Sequence, residues 1–83
     1  MSYTVHIERK AQKKLIKISE PHYSKLKIAI LDLGNNPRPQ GYIKLKNRDA
    51  FRIRVSDYRV IYEISDEQIR VNIINLGYRK NIY

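Results

Sequence analysis

Apolar and polar residues alternate along residues 51–64, FRIRVSDYRVIYEI, with breaks at the SD dipeptide of residues 56–57 and at Ile61. Successive side chains of a strand point to opposite faces of a sheet, so this alternation predicts two half-buried strands. Serine and aspartate favour turns. The segment therefore predicts a β-hairpin that reverses at residues 56–57 and pairs Arg54 with Arg59.

The two faces of this predicted hairpin differ in chemistry. One is apolar and aromatic, and we expect it to join the core: Phe51, Ile53, Val55, Tyr58, Val60, Tyr62 and Ile64. The other, called here the arginine face, is mostly charged: Arg52, Arg54, Arg59, Ile61 and Glu63. Two opposed guanidinium groups in such a pair cost roughly 0.2 to 1 kcal/mol. Either the arginine stems cover apolar surface while their heads stay in water, or an anion offsets the repulsion, and we favour the anion.

Before the hairpin, the periodicity predicts a strand followed by two helices. Tyr3, Val5 and Ile7 alternate with polar residues, as in a half-buried strand. From Arg9 the apolar spacing changes to i, i+4 and i+7, which predicts a short amphipathic helix built on three residues: Ala11, Leu15 and Ile18.

The second helix is predicted to follow residues 19–21, SEP, which supply capping and first-turn chemistry. Gly34 ends it. Its apolar stripe has helical spacing: Leu26, Ala29, Ile30 and Leu33. Ile28 and Leu31 fall outside the stripe. They either pack against the first helix or form an exposed ridge for a partner, and we expect packing.

The remaining chain predicts a loop and further strands. Residues 35–41, NNPRPQG, predict a loop, and residues 42–46 form a short strand or an extended lead-in to the hairpin. After a turn at residues 65–67, apolar residues alternate up to Ile73 but change parity at Ile74. The last strand is therefore either central and buried on both faces, or bulged at this point. A bulge would place three more residues on the arginine face: Asn75, Gly77 and Arg79.

This order of elements predicts an α+β fold, a mostly antiparallel sheet with the two N-terminal helices packed on one face. We expect the other face of the sheet to stay open. A chain of 83 residues is long enough for one small domain, which we assign to residues 1–83.

The net charge and its distribution along the chain indicate which kinds of molecule the protein could bind. The chain has 17 lysines and arginines against 8 acidic residues, a formal net charge of +9. The excess is concentrated in residues 9–17, with five basic and no acidic residues, and in residues 38–59, with seven basic and two acidic residues. A field of this kind favours phosphate backbones, and it would equally favour an acidic protein.

Composition also excludes several kinds of site. There is no cysteine, so disulfides and thiolate metal sites are excluded. His6 and His22 lack ligand spacing and are predicted to be surface or capping residues, so we expect no metal and no cofactor. No apolar stretch approaches the roughly 20 residues that cross a bilayer, and the N-terminus lacks a signal-peptide core. We expect a soluble cytoplasmic protein.

What remains is a set of cations on an open sheet face, with a tyrosine at the end of the chain: Arg52, Arg54, Arg59, Arg79 and Tyr83. Arginine forks bind phosphate oxygens bidentately, and a preorganised cluster can stabilise the extra charge on five-coordinate phosphorus during RNA cleavage. Such a site needs no metal.

Three segments in this order and spacing, NNPRPQGYIKLK, FRIRVSDYRVIYEI and NLGYRKNIY, resemble the RelE/ParE superfamily of toxins from toxin-antitoxin pairs, most closely its RelE branch. The resemblance covers nearly the whole chain. It implies a ribosome-dependent endoribonuclease that cleaves mRNA in the decoding site through attack of a ribose 2′-hydroxyl on the adjacent phosphate. It also implies a cognate antitoxin, bound in a hetero-oligomer.

The resemblance assigns roles by position. Arg52 and Arg54 match the two cations of the first hairpin strand, and Arg59 matches the arginine of the second. Arg79 matches the arginine after the glycine, and Tyr83 matches the tail tyrosine. The implied roles are general base for the tyrosine, and phosphate binding, transition-state stabilisation or leaving-group protonation for the cations. Further cations are expected to contact RNA: Lys44, Lys46, Arg48 and Lys80.

The chain departs from the family pattern at several positions. Founding members carry lysines where Arg52 and Arg54 stand, and arginine is the poorer proton donor. Many relatives have a tail histidine where this chain has Tyr78. If Tyr83 is the last residue, its α-carboxylate is expected to oppose ionisation of the phenol, whereas nearby arginines are expected to favour it.

Two other functions fit the same sequence. One is a ParE-like inhibitor that binds DNA gyrase, and Arg79 with Tyr83 argues against it because such a binder has no evident use for that pair. The other is a non-catalytic basic RNA-binding module, or a toxin that has lost activity. If the chain is a toxin, we expect an antitoxin to cover the cationic face, displace the tail, or both.

Overall fold

A computed structural model describes residues 2–80, which form two helices and a five-stranded sheet. The elements in chain order are β1 (Thr4–Ile7), α1 (Arg9–Leu15), α2 (His22–Asp32), β2 (Ile43–Lys44), β3 (Phe51–Val55), β4 (Tyr58–Ser65) and β5 (Arg70–Tyr78). The strand order is β1-β5-β4-β3-β2. Among the strands of residues 2–80, only β1 and β5 pair in parallel. The predicted α+β class with a mostly antiparallel sheet is confirmed. Neither helix in this part of the chain is long and apolar enough to cross a membrane.

The hairpin of β3 and β4 has the predicted register. Arg54 pairs with Arg59, and Arg52 pairs with Ile61. The two-residue loop begins at Ser56, whose φ of 56° lies in the left-handed region. A positive φ at the first loop residue alone is typical of a type II′ turn, which matches the twist of the flanking strands. Local sequence therefore sets which side chains share a face at the hairpin tip.

The helices cover one face of the sheet and bury its apolar side chains. The main core contains residues from both helices and from β3, β4 and β5: Ala11, Leu15, Leu26, Ile30, Leu33, Ile53, Val60, Tyr62, Val71, Ile73 and Leu76. Full burial of one large aliphatic side chain contributes roughly 1.5 to 3 kcal/mol. The apolar face predicted for the hairpin therefore lies beneath the helices.

The helix ends combine predicted and unpredicted features. α1 ends at Leu15, earlier than its apolar spacing suggests, yet Ile18 still packs against the core. Ile18 lies in a turn in which its backbone N–H donates to the carbonyl of Leu15 at 3.1 Å. Before α2, the carboxylate of Glu20 accepts hydrogen bonds from the backbone N–H and the hydroxyl of Ser24, at 3.0 and 2.7 Å. These bonds provide the capping function expected of this segment.

The expectation that Ile28 and Leu31 pack against the first helix is wrong. Their side chains are 61% and 55% exposed. At about 100° per residue, both project from the side of α2 opposite the buried Leu26 and Ile30. α1 has only 7 residues and packs against β5 rather than over this side of α2. The outer side of α2 therefore carries an apolar ridge.

The bulge interpretation of the last strand is correct, and the strand is central but not buried on both faces, because Arg70 is exposed and Asn72 is only half-buried. β5 lies between β1 and β4, so its first half is a central strand. Its pairing with β4 also shifts register, because Ile61 pairs with Asn75 whereas Tyr62 pairs with Ile73. Ile74 is the extra residue of this bulge. Downstream of it, Asn75 and Gly77 lie on the arginine face, as predicted for a bulge.

The face of the sheet opposite the helices is only partly open, which corrects the expectation of a fully open face. A second small cluster contains Ala50 and Ile61, with exposed fractions of 0% and 3%, packed against Leu45 and Ile74. The backbone N–H of Leu45 donates to the carbonyl of Ala50 at 2.9 Å, which folds residues 45–50 over the sheet. The arginine face is uncovered at two places, at Arg54 near the hairpin loop and at Glu63 toward the other end of β4.

Tyr62 connects the sheet to the loop of residues 35–41, called here the proline-rich loop. Its ring is fully buried, and its hydroxyl donates to the carbonyl of Pro37 at 2.8 Å. Burial raises the pKa of Tyr62 to about 12. The unfolded chain releases this proton near pH 10, so between pH 10 and about 12 the folded state binds more protons than the unfolded state. The stability that Tyr62 contributes is therefore present below pH 10 and is lost as the pH rises through this window.

Tyr62→Phe is expected to lower the free energy of unfolding at pH 7 by about 1 to 3 kcal/mol, because it leaves a buried carbonyl without its donor. The variant should also lose less stability than the wild type between pH 10 and about 12. Urea denaturation across this pH range measures both effects. Equal pH dependence of the two proteins would show that the buried phenol does not control alkaline stability.

Candidate functional site

A cleft of about 160 Å³ lies at the tip of the β3–β4 hairpin. Three of the residues that line it are arginines, so we call it the cationic cleft. Its lining residues are Arg54, Ser56, Asp57, Tyr58, Arg59 and Arg79. The register of the hairpin opposes two of these arginines, and the third follows β5. The structure thus brings together three of the five residues that the sequence analysis proposed as catalytic.

Two hydrogen bonds hold Arg79 against the hairpin. Its backbone N–H donates to the carbonyl of Asp57 at 2.9 Å. Its carbonyl accepts a hydrogen bond from the guanidinium of Arg59 at 3.0 Å. The chain beyond β5 is therefore fastened to the hairpin loop, so the position of Arg79 depends on the loop and on Arg59.

The cationic cleft concentrates positive charge. Among its lining residues, three guanidinium groups face a single carboxylate, that of Asp57. Within residues 2–80, the exposed side chain of Arg54 has no hydrogen bond or ion pair to another residue. Guanidinium groups present planar N–H forks that match phosphate oxygens. The arrangement is suited to binding a phosphodiester at the hairpin tip.

Arg52 lies beside this cleft rather than in it. It is half-buried and pairs with Ile43 on one side and Ile61 on the other. Its Nε is buried and has no hydrogen-bond partner within residues 2–80. Arg52 precedes Arg54 by two residues on the same face, a separation of about 6.6 Å along a strand. It is placed to contact a neighbouring part of a bound chain rather than the same phosphate.

The remaining candidates lie farther from the cleft or beyond the described residues. The four cations proposed to contact RNA are all exposed, and none lines the cationic cleft: Lys44, Lys46, Arg48 and Lys80. Tyr83 lies outside the described residues. Its assignment as general base stays a prediction.

Tyr58 forms an aromatic side of the cleft that side-chain alternation does not predict. The Tyr58 ring packs edge-on against Tyr78, with centroids 5.7 Å apart and an 87° interplanar angle. On its other side it contacts His22 of α2 at 5.3 Å. His22 is therefore a half-buried packing residue rather than a surface or capping one. Neighbouring residues of a strand point to opposite faces, so the position of Tyr58 directly before Arg59 gave no sign that Tyr58 also lines the cleft, and its contact with α2 is a tertiary feature.

Comparison with known proteins identifies the family. A family model described as the ParE toxin of the type II toxin-antitoxin system parDE matches residues 5–83. The chain belongs to this toxin family of the RelE/ParE superfamily. Comparison with curated proteins gives no significant match. The predicted superfamily is confirmed.

Solved structures show that this RelE/ParE toxin is structurally close to RelE. The archaeal RelE of the RelE-RelB complex from Pyrococcus horikoshii is 30% identical, with a TM-score of 0.85 over 98% of this chain and 99% of that chain. A chain of the RelBE2 toxin-antitoxin complex from Mycobacterium tuberculosis is 25% identical, with a TM-score of 0.84 over 98% and 95%. The isolated RelE toxin of E. coli is 26% identical, with a TM-score of 0.80 over 93% and 84%.

Proposed function

We propose that this toxin is an endoribonuclease that cleaves mRNA in the decoding site of the ribosome. The observation that carries the proposal is the convergence of Arg54, Arg59 and Arg79 on one small cleft. The similarity to RelE structures over nearly the whole chain supports it. Enrichment of arginine at one surface site is also the pattern expected for recognition of phosphate.

In the proposed reaction, the ribose 2′-oxygen forms a bond to the adjacent phosphorus, and the bond from phosphorus to the 5′-oxygen breaks. The products are a 2′,3′-cyclic phosphate and a 5′-hydroxyl end. The 2′-hydroxyl loses its proton to a base, for which we propose Tyr83, and the leaving oxygen gains one. Negative charge grows on the phosphoryl oxygens as five-coordinate phosphorus forms. Arg54, Arg59 and Arg79 stabilise that charge electrostatically without a metal ion.

The other cations hold the substrate. Arg52 lies next to the cleft along β3 and is placed to bind a neighbouring phosphate. Exposed cations around the sheet contribute to binding through the phosphate backbone of mRNA or ribosomal RNA: Lys44, Lys46, Arg48 and Lys80.

We also propose that the toxin forms a hetero-oligomer with a cognate antitoxin. The relatives from P. horikoshii and M. tuberculosis were solved as toxin-antitoxin complexes. A formal charge of +9 favours association with an acidic partner.

The proposed chemistry predicts that the 2′-hydroxyl at the cleavage position is essential. Primer extension on an mRNA bound to ribosomes locates the cut, and a second mRNA carries a single 2′-deoxynucleotide at the scissile position. We expect the ribo-mRNA to be cut to a 5′-hydroxyl end and the deoxy-substituted mRNA to remain intact at that position. A matched mRNA with the deoxynucleotide one codon downstream controls for altered ribosome binding. Cleavage of the deoxy-substituted position, or a 5′-phosphate product, would refute attack by the 2′-hydroxyl.

The family description favours one second candidate, a ParE-like inhibitor of DNA gyrase. The cationic cleft argues against it, because an inhibitor that acts by binding alone has no evident need for three arginines converging on one phosphate-sized space. A supercoiling assay with purified gyrase separates the two functions. We expect no inhibition at toxin concentrations that cleave ribosome-bound mRNA.

A further inference from the structure

The basic cluster of residues 9–17 has no role in the site described so far, yet one of its members is fixed in place. Arg9, Lys10 and Lys13 of α1 are exposed, whereas Lys14 is half-buried. The Lys14 ammonium donates a hydrogen bond to Oδ1 of Asn75 on β5, at 2.9 Å. A long cationic side chain on a helix usually keeps its rotamer freedom in water. The charge of Lys14 therefore has a defined position that its neighbours on α1 lack.

Asn75 belongs to the same face of the sheet as the arginines of the cationic cleft. It pairs with Ile61 downstream of the bulge, and Gly77, two residues farther along β5, pairs with Arg59. Two residues along a strand and one step between strands correspond to about 6.6 and 4.8 Å, which separates the Cα atoms of Asn75 and Arg59 by about 8 Å. Lys14 thus holds a further positive charge just outside the cleft.

The surface between the cleft and Lys14 is the end of β5. The pairing of β1 with β5 stops at Ile73, so within residues 2–80 the rest of β5 has no strand on that side. Gly77, which lies between Arg59 and this edge, has no side chain to obstruct the face. α1 packs against β5 and brings Lys14 to the same edge. A chain bound at Arg59 can therefore leave the sheet past Lys14.

The Lys14–Asn75 pair presents hydrogen-bond donors to that path. An ammonium has three donors, of which Asn75 uses one. Oδ1 of Asn75 accepts a second bond from the backbone N–H of Leu76 at 3.0 Å, so the amide nitrogen points away from both partners. Within residues 2–80, neither the ammonium nor the amide nitrogen has another hydrogen bond or ion pair. Several N–H donors beside a positive charge suit the oxygens of a phosphate.

We propose that Lys14, held by Asn75, binds the mRNA phosphate next to the scissile one. The mRNA then crosses the sheet perpendicular to its strands, from Arg54 on β3 over Arg59 on β4 to Lys14 at the edge of β5. This inference rests on the proposed nuclease function and adds a substrate-positioning residue to it. An anchored neighbouring phosphate keeps the attacking 2′-oxygen in line with the leaving oxygen. Lys14 therefore acts on the rate of the bound complex more than on its formation.

Two neighbouring lysines of α1 give a matched test. Lys14→Met removes the charge but keeps an unbranched side chain, and Lys13→Met does the same at an exposed position. At saturating ribosome concentration, Lys14→Met should slow single-turnover cleavage of ribosome-bound mRNA at least about tenfold, the loss expected for one hydrogen bond to a charged group. Lys13→Met should slow it less than about twofold, and Lys14→Arg, which retains the charge, should recover most of the rate.

Three outcomes of these measurements would overturn the proposal. Equal losses through Lys14→Met and Lys13→Met would show that only general attraction to RNA is involved. An unchanged rate at saturation, with a higher ribosome concentration needed for the half-maximal rate, would assign Lys14 to ribosomal RNA. Failure of Lys14→Arg to recover activity would show that Lys14 contributes packing rather than charge.

The role of Asn75 is tested by combining substitutions. Asn75→Ala removes the acceptor that fixes the Lys14 ammonium, so it should slow cleavage in the otherwise unchanged toxin. In toxin that already carries Lys14→Met, Asn75→Ala should have little further effect, because residues that act through one contact are not additive. Fully additive losses would show that Asn75 does not position Lys14.

Photo-cross-linking locates Lys14 on the mRNA without requiring cleavage. The chain has no cysteine, so Lys14→Cys creates a unique attachment point for an azidophenacyl cross-linker. The labelled toxin is bound to ribosomes that carry the mRNA with a 2′-deoxynucleotide at the scissile position. After irradiation, primer extension should stop within two nucleotides of that position, and label attached through Lys13→Cys should give a weaker stop there. Cross-links to ribosomal RNA alone would overturn the proposal.

The two proposals can fail separately. Toxin that cross-links to mRNA at this position but does not cut the unmodified mRNA would confirm the path over Lys14 and remove the nuclease. Toxin that cuts mRNA but gives no cross-link to it from residue 14 would leave the nuclease standing and remove the path.

Discussion

Free mRNA is expected to be cut at least about 10⁵-fold more slowly than the same mRNA in the decoding site of a ribosome. The proposed catalytic groups explain this dependence. Arginine hardly deprotonates, and an ordinary tyrosine with a pKa of about 10 is ionised to only about one part in a thousand at pH 7. Such groups are weak acid-base catalysts. Correct positioning of the reactants can lower the activation free energy by roughly 7 to 11 kcal/mol. An exposed cleft on a small domain has few walls with which to position a flexible RNA, so we expect the ribosome to supply this positioning.

Single-turnover rate constants for one labelled mRNA, measured with and without programmed ribosomes at equal toxin concentration, give this ratio directly. Toxin with Arg59→Ala controls for contaminating ribonuclease, because a contaminant is unaffected by the substitution. Rates on free and ribosome-bound mRNA within about tenfold of each other would show that the toxin positions RNA by itself, and ribosome dependence would be refuted.

Arg59→Ala is expected to lower the cleavage rate on ribosomes by about 10²- to 10³-fold, the loss typical when one electrostatic stabiliser of a transition state is removed. Two effects combine. The substitution removes a guanidinium from the cationic cleft, and it removes the donor that holds the carbonyl of Arg79 at 3.0 Å. A second catalytic cation should therefore be displaced together with the first.

Arg70→Ala is the matched control, because it removes the same charge from an exposed position of β5 outside the cationic cleft. Its single-turnover rate at saturating ribosome concentration should stay within about twofold of the wild type, with only a small loss in salt-dependent binding. Thermal unfolding of both variants checks that they remain folded. If both substitutions slowed cleavage equally, general attraction to RNA rather than local chemistry would explain the role of Arg59.

The parts of the fold that depend on local periodicity were predictable. Alternation over β3 and β4 determines which residues share a face, and a two-residue loop determines which residues pair, so the Arg54–Arg59 pair follows from neighbouring residues alone. The change of parity at Ile74 likewise indicated the bulge. Order and spacing of three segments were sufficient to predict the toxin superfamily.

The errors concern contacts between elements distant in sequence. The exposure of Ile28 depends on where α1 lies, and α1 packs against β5 instead of over the outer side of α2. The partial covering of the arginine face depends on residues 45–50, which fold back over Ile61. Periodicity describes one element at a time, so neither feature has a local signal.

By itself, the sequence determined the fold class, the hairpin register and the two cations opposed at the hairpin tip, because each follows from side-chain alternation and turn chemistry within a few residues. Only the tertiary structure decided that Arg79 joins Arg54 and Arg59 while Arg52 lies beside them. That selection depends on hydrogen bonds from the end of β5 to the hairpin, between residues 20 or more positions apart. It also decided that Lys14 of α1 meets Asn75 of β5 at the edge of the sheet, since these residues lie 61 positions apart in the chain.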